Sequence, residues 1–313
     1  MYRASRKRAF LSTMLSVAAA IVLAAGSASA QNQVNTCGQT LAQPGVYVLA
    51  TDLDCSGTFA NGINITASNV TFHLGNHTLS STDCDMRREI YGIFVPRDVS
   101  NVKIDGGIVR GFVDGVVLFS SKSHVSAMTV TGACLFGIAV QNDGNSVTTN
   151  RVNHVSGYGI GLQVATNTHI TANDISNNVC GVGLSNHANH NFITYNILSG
   201  NGAGSGCGVR VNFGTDNIVA NNAFDGNFSG ILLEDAGNTA RDNTIRGSVN
   251  SGIAVSSNGS PGNVIHNTVL GSGVADMSDA SPSCGANTWT RNTFDTDLVN
   301  GVPDGGPHAG CIR

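Results

Sequence analysis

Three residues of the kinds that carry charge and move protons, His187, Arg210 and Glu234, lie 23 and 24 residues apart in a chain of 313. Arginine is a permanent cation suited to neutralising a carboxylate. Histidine titrates near neutrality and suits proton abstraction, and a glutamate nearby adds a second proton carrier. Gln141, Asp143, Gln163 and Asn212 recur at similar intervals and offer the amide and carboxyl groups that bind hydroxyls. Residues so far apart in sequence can act together only if the chain keeps returning to the same place.

A repeat of that length runs through the chain. A glycine followed by Ile or Val, one residue, then in most copies another aliphatic occurs at Gly62, Gly92, Gly115, Gly137, Gly159, Gly181, Gly208, Gly230 and Gly252, and five of the eight intervals are 22 residues. A fixed period of this length is the mark of a solenoid. Within each repeat three short apolar stretches alternate with polar turns, so one coil holds three strands. The turns carry one row at Asn101, Ser123, Asn145, Asn167, Asn189, Asp216 and Asn238, and a second at Asn150, Asn173, Asn196, Asn222, Asn243 and Asn267. Asparagine accepts left-handed corners, and amides stacked coil on coil can pair in ladders.

Strand alternation then sorts the side chains. Residues one and three after each glycine point inward, and those two and four after it point outward. Arg210 falls two after its glycine, Gln141, Gln163, Asn212 and Glu234 fall four after, and Asp143 and His187 fall six after, beside the same face. Gly161 and Gly183 interrupt this face and leave a shallow trough. Tyr91, Phe136 and Tyr158 precede repeat glycines and are expected to stack inside, with Tyr158 as an alternative proton donor.

The ends read differently. Arg3, Arg6, Lys7 and Arg8 precede an apolar run from Phe10 to Ala25 and an Ala28-Ser29-Ala30 site, which reads as a secretory signal peptide over residues 1–30. Its removal leaves 12 basic against 20 acidic residues, a formal charge of −8 that disfavours nucleic acid. No later stretch is apolar for long enough to insert in a membrane. All eight cysteines follow the signal, as expected of disulfides in an oxidising compartment, periplasmic or extracellular. Cys180 and Cys207 each precede a repeat glycine and should be bridged neighbours. Cys37–Cys55 and Cys284–Cys311 would tie the ends, leaving Cys84–Cys134. Residues 31–60 form an N-terminal cap, 61–296 the repeat domain, and 297–313 a capping tail, with Trp289 in a terminal core.

The G-[IV]-x-[LV] period with its Asn turns resembles the right-handed parallel β-helix proteins of the pectin-lyase-like superfamily, in particular the short-coil repeats of NosD-like and mannuronan-epimerase-like proteins. The resemblance covers about residues 61–295 and implies an all-β, single-stranded parallel β-helix of 9–10 coils. It also implies a substrate lying across the outward sheet. On a uronate-containing glycan, Arg210 would neutralise the carboxylate, His187 would take the C5 proton, and Tyr158 or a second histidine would supply one. The clustered aspartates with G-H-G of polygalacturonases, the D-P-H-E of mannuronan epimerases and a Met/His-rich copper tract are all missing. No metal set is visible among the histidines, and no cofactor is implied, although calcium would help an acidic surface accept a polyuronate. Arg87-Arg88, in an insertion at 80–89, read as part of a solvated loop at the groove's edge, with contact to an acidic glycan as the alternative. Two readings follow: a polysaccharide-interacting protein with lyase- or epimerase-like chemistry, or a non-catalytic β-helix scaffold of the cell envelope or exterior.

Overall fold

The computed structural model describes residues 31–313 except 203, 308 and 309. The expected signal peptide lies outside the described residues. The chain coils into a parallel β-solenoid of about 11 turns. Each turn contributes one strand to a 13-stranded sheet, and most contribute two short strands to a 20-stranded sheet. The repeat glycines open the strands of the 13-stranded sheet, and successive strands pair in register, for example Ile138 with Ile160 and Val182 with Val209. The positions one and three after each glycine, from Ile63 and Ile65 to Ile253 and Val255, are essentially fully buried and form one continuous core.

The repeat glycines stand at the corner where the chain enters this sheet. A Cβ on Gly115 would collide with the Val130 side chain and the Gly137 carbonyl, and one on Gly230 would meet the Gly252 carbonyl and Ile245. The glycine therefore faces the core, as does the residue after it. Two successive inward positions break strict alternation, so the residue before each glycine faces the other way. Phe136 and Tyr158, expected inside, accordingly lie half-buried on the outer face.

Buried asparagines hold the other corners. In the second row Asn150, Asn173, Asn196, Asn222, Asn243 and Asn267 form an unbroken ladder that ends on Asn292. Each side-chain oxygen also accepts a backbone N–H of the coil before it, and each amide also donates to a carbonyl of an earlier coil, so these buried groups are satisfied. The first row differs from the sequence reading. Thr168, Asn191 and Asn217 occupy the buried positions, with Asn145 and Asn238 as expected, while Asn167, Asn189 and Asp216 stand at the surface. Asn167 and Asp216 take the left-handed corner itself (φ 50° and 57°), and the residue after each turns inward. A third ladder, Asn178–Asn201–Asn227, was not read from the sequence.

All four disulfides pair as expected, with Cys180 and Cys207 as direct register partners whose Cα atoms are 4.6 Å apart. The segment 31–60 covers the core by forming its first coil: Gln39–Leu41 pairs with Ile63–Ile65, and Gly45–Leu49 pairs with the strand after it. This is one reason the turns exceed the 9–10 counted from glycines. At the other end Trp289 is buried and donates its indole N–H to Asp279 at 2.8 Å. The chain closes with a short antiparallel pair, Leu298–Val299 against Val302–Pro303.

Candidate functional site

The outer face of the 13-stranded sheet carries the candidate site. Arg210 projects from it between Gly183 and Leu232 on adjacent strands. Its Nε donates to Glu234 Oε2 at 2.8 Å. The bond to Glu234 and that carboxylate's charge, with a contribution from the Tyr158 hydroxyl, raise the guanidinium pKa further above its ordinary value, so Arg210 acts only as a fixed cation. The Tyr158 ring lies over Gly183 and the Phe136 ring over Gly161, where any Cβ would strike them. The two rings stack at 5.7 Å with planes 15° apart. The expected trough is thus occupied: these glycines make room for aromatic rings from the preceding coil. Gln163, Ser185 and Asn212 complete a hollow of about 40 Å³ around Tyr158 and Arg210.

The other expected residues separate. Gln141 sits further up the face and accepts from Arg97 Nη2 at 2.9 Å. Asp143 is exposed and used locally, accepting from Thr166 and Asn167, which hold its pKa below the usual carboxylate range. His187 is exposed on a left-handed corner (φ 62°) after the strand has ended at Ser185, and it does not line the hollow. It is therefore not brought to Arg210. Arg88 stacks over Phe59 at 4.3 Å and pairs with Asp85.

A second hollow of about 250 Å³ adjoins the first and shares Phe136 and Gln163 with it. Its walls include Glu89, Tyr91, Asp114 and Phe119, and the sequence reading missed it. Asp114 occupies the position before Gly115, in register with Tyr91 and Phe136, so the same corner that turns Phe136 outward places it there. Asp114 is 8% exposed, and one oxygen accepts the Phe136 N–H at 2.9 Å. Burial first, and the charge of Glu89 second, push its pKa up to about 6. A raised carboxyl pKa means that stabilisation from the protonated form is complete below pH ~4 and lost as pH rises through 6, amounting to at most about 3 kcal/mol. Asp114→Asn should therefore gain stability relative to wild type between pH 4 and 7. Urea midpoints at both pH values check this, and a constant difference would refute it. A third hollow of about 320 Å³ lies beyond Glu234, lined by Leu232, Ala254, Ser256 and Leu298.

The family model for the right-handed β-helix region matches residues 136–301. The chain belongs to the right-handed β-helix family. A second model, periplasmic copper-binding protein (NosD), matches residues 30–205 of this β-helix. Among solved structures, the Agl-KA catalytic domain is similar at 11% identity and TM-score 0.62, covering 82% of this chain and 58% of its own. DFA-IIIase from Arthrobacter chlorophenolicus A6 in complex with GF2 is similar at 13% identity and TM-score 0.54, covering 80% of this chain and 71% of its own. An alginate lyase from Paenibacillus sp. str. FPU-7 is similar at 14% identity and TM-score 0.50, covering 79% of this chain and 98% of its own. Identities this low show the fold alone, and the β-helix spans less than two thirds of the Agl-KA domain. No curated protein sequence matches the chain.

The copper named by the NosD model can be tested against the donors present. All eight cysteines are in disulfides, and the single described group of three possible ligands, Cys284, Asp304 and Cys311, contains two sulfurs already bonded to each other. Met128 and Met277 are buried in the core, and Met86 alone among the described methionines is exposed. Among the described residues, no group of three His, Cys, Asp or Glu side chains with free ligand atoms comes together to hold a copper ion. Among the same residues, no helix is long and apolar enough to cross a membrane.

Proposed function

We propose that this protein is exported, to a periplasm or the exterior, and holds a polysaccharide along the outer face of the 13-stranded sheet, with the Tyr158–Arg210–Glu234 cluster taking a uronate residue. The observation that carries this reading is the row of aromatic rings continuous with a fixed cation: Phe136 and Tyr158 stacked beside Arg210 in adjoining hollows. Rings offer flat apolar surface to sugars, amides bind hydroxyls, and arginine binds carboxylate. Solved relatives of the same fold include an alginate lyase and a DFA-IIIase.

The chemistry suited to this cluster is lyase- or epimerase-like. Arg210 neutralises the uronate carboxylate and so favours loss of the C5 proton, Glu234 orients Arg210, and Tyr158 carries the proton. His187 has no part in it, because it lies off the hollow. The test incubates the mature protein, with and without calcium, against pectate, alginate, hyaluronan and neutral glucans, following ultraviolet absorbance of unsaturated products together with reducing ends. Absorbance should rise on a uronate polymer, and Arg210→Ala should lower the rate at least tenfold. Glycan retention on affinity gels without products would favour the non-catalytic scaffold. No retention and no products would refute polysaccharide binding.

A further inference from the structure

The second hollow has an electrostatic character opposite to that around Arg210. Two carboxylates, Glu89 and Asp114, line it, with no arginine or lysine in its wall. Arg97 is held at the rim by Gln141 and lies 5.9 Å from the Phe119 ring centroid, while Arg88, on the same loop as Glu89, is engaged with Phe59 and Asp85. Asp114 is more than nine-tenths buried, yet among the described residues only one of its oxygens has a hydrogen-bond partner. Phe119 and Phe136 supply apolar walls, and the buried Tyr91 packs against Phe94 at 5.2 Å. A deep carboxyl with a spare oxygen between aromatic rings is built to accept hydroxyl hydrogens from a ring lying on those aromatics.

We propose that this hollow is a subsite for a neutral sugar residue and excludes uronates, so that the intact face selects a heteropolysaccharide carrying both neutral and uronate residues. The inference rests on the polysaccharide reading but not on any reaction at Arg210. A uronate placed here would bring a third negative charge into a partly desolvated site, where like-charge contact is strongly unfavourable. Phe136 and Gln163 line both hollows, which places them side by side on one face within reach of a single glycan strand. The insertion at 80–89 ends on Glu89, placing half of the selective pair on a loop while Asp114 is fixed on a strand.

The test measures retention of the mature protein on gels containing polygalacturonate, a neutral galactan, or hyaluronan as a polymer that alternates the two residue kinds. It is run with chelator and with calcium, for wild type, Glu89→Gln and Glu89→Gln/Asp114→Asn. Wild type with chelator should hold hyaluronan at least tenfold more tightly than polygalacturonate, and the gap should narrow to within about threefold in the double variant as the uronate gains entry. Glu89→Gln, a change at an exposed loop residue, should narrow it partway and guards against misfolding of the double variant. Equal wild-type affinity for the two acidic polymers, or a gap unchanged in both variants, would overturn the assignment. So would a calcium-induced switch to polygalacturonate, because the carboxylates would then be holding the cation. Retention on none of the gels would instead defeat the polysaccharide reading itself.

Discussion

Asn196→Leu should destabilise the protein by about 4 kcal/mol, a large part of the ~5–15 kcal/mol that separates folded from unfolded states of ordinary domains. Asn196 is 1% exposed and central in the longest ladder. Its oxygen accepts the Asn173 backbone N–H and side-chain amide, both at 2.9 Å, and its own amide donates to the Ile170 carbonyl and to Asn222. Leucine is close in size but removes all of these bonds. It leaves the buried Asn173 backbone N–H without a partner and takes one acceptor from the Asn173 amide, which keeps the Val147 carbonyl, and a buried donor without a partner costs roughly 1–3 kcal/mol on top of the bonds lost. The damage falls on neighbouring coils, so it should weaken the solenoid on both sides of the substitution. Urea denaturation followed by far-ultraviolet circular dichroism measures the effect. A loss under about 1 kcal/mol would mean that the ladder is a consequence of the stacking rather than a cause of it.

The second Asn row, the disulfide neighbours Cys180 and Cys207, and the inward face of every repeat strand were legible because each depends only on the 22-residue period and on alternation inside a strand. What escaped the sequence lies where alternation stops. At the repeat glycine two consecutive residues face the core, which reverses the phase for the residue before it. Tyr158, Phe136 and Asp114 all occupy that position, so the aromatic row was placed inside and the buried carboxyl was not recognised. At the other strand end, Asn186 and His187 are both left-handed (φ 51° and 62°), and counting six from the glycine no longer says where a side chain goes. Arg210 and Glu234 were correctly brought together because both lie within four residues of their glycines, inside the regular strand. Glu89 could not have been placed, since the insertion carrying it has no period to count.

Gly183→Ala should separate the fold from the site. The new Cβ would sit far inside 3.0 Å of the Tyr158 ring, a separation that real Cβ atoms do not show, and the obstacle is a side chain rather than backbone. The ring will therefore swing off the sheet. Leaving its stack with Phe136 costs about 1 kcal/mol, and the strand itself accepts alanine without strain, since its φ is not left-handed. Stability should thus fall only slightly, while retention on uronate polymers, which depends on the ring beside Arg210, should fall tenfold or more. A double-mutant cycle gives the decisive reading. In a Tyr158→Ala background no ring remains to be displaced, so Gly183→Ala should have almost no further effect on either stability or retention. Additive losses would show that the glycine serves the strand independently of the ring, and unchanged retention in Tyr158→Ala alone would show that the ring takes no part in binding. Strong coupling would show that the repeat surrenders its outward side chains at 161 and 183 to seat a binding surface.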